Sequence, residues 1–142
     1  MTREEITAMF DRRSEALDRR DIEALGANYS GDCVVVSPMA GGSVSGPAGV
    51  EQVYRAWFGA FPDIVARRES LLIDGDQVAT VELITGTDTG GFMGMAPTQK
   101  SFELRLVHLC QVRDGLIVWE RRIYDFTGML VQIGVLKAKP SA

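Results

Sequence analysis

The sequence predicts an α+β fold in which a curved antiparallel sheet wraps around helices to form a cone with an open apolar cavity. Three observations predict it. Helical periodicity is confined to the chain before Pro62. Four long strand-like runs follow, joined in pairs by turn signals at Asp74-Gly75-Asp76 and Asp114-Gly115. Helices segregated from an antiparallel sheet define the α+β class, and a sheet curved around a long helix leaves one end open as a small-molecule site.

The elements follow in order. Thr2 with Glu5 forms a capping box, and Ile6, Met9, Phe10 and Leu17 recur at helical spacing over residues 3–20, with Arg13 interrupting the stripe. Asp21 caps a short second helix carrying Ile22, Leu25 and Tyr29. Residues 32–39 are β-branched and read as a strand, and Ala40-Gly41-Gly42-Ser43 reads as a turn. Gly46-Pro47 opens a third helix with Val50, Val53, Tyr54, Trp57, Phe58 and Phe61 on its apolar face. Pro62 ends it. Strands then run to Ile73 and from Gln77 to Thr89. Residues 90–100 form a loop, and Ser101–Arg113 and Leu116–Asp125 form the second hairpin. Residues 126–136 close the chain as a short helix or coil.

At 142 residues, with 46% apolar and 24% charged side chains, the chain suits one globular domain, residues 1–142. A net charge of −4 leaves no basic footprint, so nucleic acid is not an expected partner. No apolar run reaches the roughly 20 residues of a membrane span. The charged start, Met1-Thr2-Arg3-Glu4-Glu5, does not read as a signal peptide. Cys33 and Cys110 read as buried free thiols, and a cytoplasmic location is expected. With a single histidine and two cysteines, no zinc-type ligand spacing exists.

Segments spread along the chain are similar to those of a known family. They are Tyr29-Ser30-Gly31-Asp32-Cys33-Val34-Val35-Val36-Ser37-Pro38, Ala60-Phe61-Pro62-Asp63, Gly86-Thr87-Asp88-Thr89-Gly90, residues 92–100, Asp114-Gly115-Leu116-Ile117, Tyr124-Asp125 and Leu130-Val131-Gln132-Ile133-Gly134. In this order the set resembles the SnoaL-like polyketide cyclases of the NTF2-like, or cystatin-like, cone superfamily. The resemblance implies an intramolecular aldol cyclisation of a bulky apolar carbonyl compound, polyketide- or steroid-like, without metal or organic cofactor. It also implies a homodimer through the open sheet face. An acid matching Asp125 is the general acid/base of characterised members. Two departures stand out: Glu120-Arg121 replaces a His-Trp pair, and Asp88 replaces a histidine.

Each candidate has two readings. Asp125 is a pocket base or a cap of the terminal helix. His108 shares a face with Phe102, Leu104, Leu106, Cys110 and Val112 by period 2, as a proton-transfer group or as a satisfied core histidine. Arg121 falls on the face of Asp125 and contacts substrate, or it is a solvated arginine. Glu82, among Val78, Thr80 and Ile84, is a second acid or a surface carboxylate, and the surface reading is preferred. Asp88 is expected to form a turn. Tyr29, Tyr54 and Tyr124 are enolate donors or packed phenols. Trp57, Phe58 and Phe61 are core, or in part face a ligand. Phe92, Met93 and Met95 form an adaptable lid or a dimer contact.

Two other functions fit the same pattern. A limonene-epoxide-hydrolase-like reaction wants an arginine with two aspartates, and Arg105 and His108 lack the partner acid. A ligand-binding protein needs the cavity alone.

Overall fold

The helix starts predicted from capping residues are formed as capping residues dictate. In the computed structural model, which describes residues 1–137, the Glu5 amide donates to Thr2 Oγ1 at 3.1 Å and the Thr2 amide donates to Glu5 Oε2 at 2.7 Å. This reciprocal pair opens α1 (Arg3–Asp18). Arg13 lies on the buried face of α1 beside Met9, Phe10 and Ala16, so it belongs to the inward stripe and does not interrupt it. Asp21 accepts from the Ala24 amide at 3.0 Å and opens α2 (Ile22–Gly26). That helix stops at its glycine, a poor helix former. Tyr29, expected on the helix, instead begins β1 (Tyr29–Ser37).

A 3₁₀ turn at Pro38–Ala40 leads into β2 (Gly42–Ser45), where the sequence suggested only a turn. Four residues with one apolar side chain give no period-2 signal. α3 (Gly46–Ala60) carries Pro47 in its first turn. Then come β3 (Val65–Asp74), β4 (Gln77–Thr87), β5 (Ser101–Arg113), β6 (Leu116–Ile123) and α4 (Phe126–Gln132).

The six strands form one sheet in the order β2-β1-β6-β5-β4-β3. The pairs β3–β4, β4–β5 and β5–β6 are antiparallel, as expected. The sheet is mostly antiparallel with one parallel pair: β1 runs parallel to β6, with Val34 opposite Trp119 and Val36 opposite Arg121. Hairpin turns specify antiparallel neighbours. A pairing between the first and last strands has no turn to announce its direction.

One irregularity in β6 decides which side chains face inward. From Val107–Ile123 to Gln111–Trp119 the pairing with β5 is regular, but Val112 then pairs with Ile117. Val118 is therefore an extra residue, a bulge that reverses the alternation of the strand. Ile117 is buried before it, and Glu120 and Arg122 are buried after it, while Arg121 and Ile123 face outward. The odd-numbered face expected to carry Arg121 inward does not persist across the bulge.

Two apolar clusters fill the interior. One gathers Ile6, Phe10, Leu25, Val50, Val78 and Cys110 around α1. The other gathers Trp57, Phe61, Phe92, Phe102, Met129 and Ile133 around the end of α3. Along β4 the change from Val78 to Ile84 passes through Thr80 and Glu82. Along β5 the change from Cys110 to Leu106 passes through His108. All three of these polar side chains are buried. A polar belt thus crosses the core at mid-height.

The loop of residues 88–100 is tied at both ends. The buried Asp88 carboxylate accepts from the Gly91 amide at 3.0 Å and from the Thr98 amide and hydroxyl, both at 3.1 Å. The Gly90 amide donates to the Ala60 carbonyl at 3.0 Å, an approach so close that a Cβ at Gly90 would overlap the Gly59 carbonyl. Phe92 is driven into the second cluster, its ring centroid 5.1 Å from that of Phe61.

Candidate active site

The polar belt is a connected set of charges, each held by a different element. From α1, Arg13 reaches Glu82 on β4 (NH1 to Oε1, 3.3 Å) and donates from NH2 to the Tyr54 hydroxyl of α3 at 2.9 Å. From β5, His108 places Nε2 3.4 Å from Glu82 Oε2 and Nδ1 3.3 Å from Glu120 Oε1. On β6, the Arg122 Nε donates to Glu120 Oε2 at 2.7 Å. The Tyr29 hydroxyl donates to Glu120 Oε1 at 2.9 Å, and the Cys110 thiol to the same oxygen at 3.4 Å. The Arg122 guanidinium also lies over the Tyr54 ring, 4.9 Å from its centroid. None of the five ionisable side chains Arg13, Glu82, His108, Glu120 and Arg122 is more than 5% exposed.

Charges at this depth persist only when paired. Burial pushes the Glu82 carboxyl up, but the His108 ring and the Arg13 guanidinium outweigh it and bring it down to about 2. Burial likewise opposes ionisation of Glu120, and Arg122 foremost, with His108 and Arg13, holds it well below the ordinary carboxylate range. Arg13 and Arg122 lie well above the ordinary arginine range: burial works against their charge, and the surrounding phenols and carboxylates more than restore it. Burial and the Glu120 charge push the Tyr29 phenol well up, so it remains a donor.

The acid limb of stability follows from Glu82. Its folded value of about 2 lies below its ordinary 4.5, so the unfolded chain takes up the proton first. The stabilisation is complete above the ordinary value and is lost as pH falls toward the folded one. Chemical denaturation of wild type between pH 6 and pH 2.5 should show this decline. In Glu82→Gln the part due to this carboxylate should be missing, so the curve should be shallower.

Five belt and wall side chains, Arg13, Tyr54, Glu82, His108 and Arg122, form the floor of a cavity. Trp57, Ile84 and Leu106 wall it, and the less buried Leu17, Phe58 and Ile64 stand at its rim. Arg20 pins that rim by donating to the Pro62 carbonyl at 2.8 Å and the Ile64 carbonyl at 2.7 Å. The expected apolar cavity therefore has apolar walls and a charged floor. Its volume is about 50 Å³, space for a few waters, whereas small-molecule pockets run to about 300–1,000 Å³. Two buried donors face unequal circumstances. Arg13 Nε has no partner among the described residues, and the Tyr54 hydroxyl accepts from Arg13 while its own proton finds no acceptor among them. Among the described residues no three His, Cys, Asp or Glu side chains group as a metal site.

Of the candidates drawn from the sequence, His108, Tyr54 and Trp57 reach this cavity. Five expected site residues, Asp125, Arg121, Phe61, Phe92 and Met95, do not line it. Asp125 is exposed and caps α4, its Oδ1 accepting from the Gly128 amide at 2.8 Å. Arg121 is turned out by the bulge at Val118. Phe61 and Phe92 are consumed by the aromatic cluster, 0% and 1% exposed. Met95 is exposed on the tied loop, so no lid covers the floor from there. Glu82, preferred as a surface carboxylate, is inside. Arg13, Glu120 and Arg122 were not singled out for the site. The signal for Arg13 was present, as a charged residue in phase with an apolar stripe.

The placement of Asp125 gives a clean expectation. Asn caps helices as well as Asp, so Asp125→Asn should keep the melting temperature, while Asp125→Ala should cost about 1 kcal/mol by chemical denaturation.

A curved, mostly antiparallel sheet closed by helices is the NTF2-like, ketosteroid-isomerase-like α+β fold, which solved structures of that description share with this chain. Within that class, the chain belongs to the SnoaL-like polyketide cyclase family, which it matches over residues 7–133. It is 34% identical over 92 residues to the nogalonic acid methyl ester cyclase of Streptomyces nogalater, covering 63% of this chain and 68% of that protein. Among solved structures it is similar to IdmH of Streptomyces antibioticus, a candidate polyketide cyclase, with TM-score 0.76, 31% identity and coverage of 90% and 97% of the two chains. It is also similar to AclR of Streptomyces galilaeus, a candidate hydroxylase, with TM-score 0.83, 27% identity and coverage of 98% and 87%. One fold thus carries differently named activities, so the reaction has to be argued from the floor of the cavity. No helix among the described residues is long and apolar enough to cross a membrane.

Proposed function

We propose that this chain catalyses an intramolecular aldol-type cyclisation, by acid/base chemistry on a carbonyl compound of polyketide type, with His108 as the proton-transfer group. The observation that carries the reading is the convergence of His108, Arg13 and Tyr54 on one cavity floor, with Arg13 NH2 2.9 Å from the Tyr54 hydroxyl and 3.3 Å from His108 Nε2. The Glu82 carboxylate is already paired with Arg13 at 3.3 Å, which holds it ionised and makes it a poor base toward a proton on carbon. Histidine is the side chain whose ordinary titration lies nearest neutrality.

In the reaction, His108 Nε2 takes the proton from carbon next to the carbonyl. The carbonyl oxygen gains negative charge and receives hydrogen bonds from the Tyr54 hydroxyl and from Arg13, whose Nε is otherwise unpartnered. The enolate carbon attacks a second carbonyl of the same molecule, a C–C bond closes the ring, and His108 returns its proton to the new alkoxide. Substrate reaches the floor when Leu17, Phe58 and Ile64 move aside. The outer sheet face, where Val34, Leu72, Leu109 and Ile123 stand exposed, supports pairing with a second copy of the chain. A second reading, ligand binding without turnover, is favoured by the pairing of both buried carboxylates with arginines, which leaves neither acid free for chemistry.

The test is turnover of a keto-ester polyketide such as nogalonic acid methyl ester by wild type and His108→Gln, with ring closure followed by mass and absorbance. Turnover lost in the variant supports the cyclase reading. Saturable binding to wild type without turnover supports the second.

A further inference from the structure

Both ring nitrogens of His108 face carboxylates, but the two sides differ. Nε2 faces Glu82, which lines the cavity. Nδ1 faces Glu120, which is 0% exposed and does not line it. Glu120 is also fully engaged: Oε2 takes the Arg122 Nε at 2.7 Å, and Oε1 takes the Tyr29 hydroxyl at 2.9 Å and the Cys110 thiol at 3.4 Å. These contacts leave the carboxylate one orientation and seal the Nδ1 side from the cavity.

We infer that Glu120 is a positioning residue that keeps a proton on His108 Nδ1 in both charge states of the ring, so that Nε2 alone exchanges protons with substrate; this rests on the reading of His108 as the acid/base group. Each state is then satisfied. The charged ring donates from Nδ1 to Glu120 and from Nε2 to Glu82. Arg13 NH2 lies 3.3 Å from Nε2 and 3.4 Å from Nδ1; in the neutral ring, with Nδ1–H on Glu120, it donates to the bare Nε2. The groups facing the imidazole are Glu82 from β4, Glu120 from β6 and Arg13 from α1, with Tyr54 of α3 held through Arg13. A proton leaving Nδ1 would meet only the sealed carboxylate, whereas one leaving Nε2 opens on the cavity. This is the orienting part that a buried carboxylate plays for a catalytic histidine.

His108 is the only histidine in the chain, so ring ¹⁵N NMR of tag-free protein reports on this ring alone. In wild type, Nδ1 should stay in the protonated, pyrrole-type region throughout a titration from pH 5 to pH 9, while Nε2 moves toward the bare, pyridine-type region. In Glu120→Gln the short bond to Arg122 requires the amide oxygen on that side, which turns the NH₂ toward Nδ1. The neutral ring should then carry its proton on Nε2, and the two nitrogen signals should exchange character. The pH–kcat profile of the variant should lose its basic plateau, a change that loss of packing alone would not produce.

Three results would overturn the inference: Nδ1 losing its proton in wild type, both nitrogens staying protonated to pH 9, or Glu120→Gln leaving the Nδ1 signal unchanged. The wild-type titration decides even where the variant does not fold. If Nδ1 stays protonated but His108→Gln turns over normally, the acid/base reading fails and the positioning by Glu120 stands.

Discussion

Replacing His108 by Gln should lower kcat for ring closure by about 100- to 10,000-fold, the span that a positioned acid/base group contributes, and should leave KM little changed. Gln keeps an NH₂ donor for one of the two carboxylates, and Arg13 and Arg122 still pair with Glu82 and Glu120, so the variant should remain folded. Walls that hold the substrate, Trp57, Ile84 and Leu106, are untouched. The split between kcat and KM is the informative part. A rise in KM alone would assign His108 to binding, because an interaction made equally in the ground and transition states does not change kcat. Full turnover in the variant would end the proposal, with Asp125→Asn measured alongside as the control that the geometry expects to be silent.

Replacing Arg122 by Met should be the most damaging change to stability, at about 3–5 kcal/mol. Met approximates the length of the side chain, so little volume is lost. What is lost is the guanidinium 2.7 Å from Glu120 that does most to keep this buried carboxylate ionised. The buried carboxylate must then either stay charged without its closest partner or take up a proton. The sign with pH follows from the second course. Without Arg122, burial raises the folded value of Glu120, so the folded variant binds the proton more readily than wild type does. The deficit relative to wild type should therefore narrow as pH falls from 8 to 5. Urea denaturation of both proteins at several pH values checks it, and a deficit that does not change with pH would show that Glu120 is not the group left exposed to the loss.

Much of the fold was legible because its signals are local. The capping box at Thr2 and Glu5, Pro47 and Pro62 around α3, and the two Asp-Gly turns each act within a few residues. The face of His108 was legible too, since β5 keeps a strict period of two from Phe102 to Val112. The site was legible only in part, because its geometry comes from distant pairings. Glu82 is 69 residues from Arg13, and nothing near either residue in the chain says that they meet. For Glu82 the face was correctly identified with Val78, Thr80 and Ile84, but a strand does not say whether the covering layer over that face leaves room for a charge. Asp125 illustrates the converse. Its cap is a local effect that the chain does announce, since the amide it accepts from, that of Gly128, lies three residues on.

The bulge at Val118 gives β6 something like a reading frame. One inserted residue re-phases everything after it, so that the pair delivered to the interior is Glu120 and Arg122 rather than Trp119 and Arg121. A relative without that insertion has to be aligned with a gap at Val118. Aligned without one, its inward residues fall on this chain's outward ones, and a functional label is passed to the wrong neighbour. Insertion or loss of a residue here is thus a single evolutionary step that rewrites the chemistry of the cavity floor while leaving the composition of the strand almost intact.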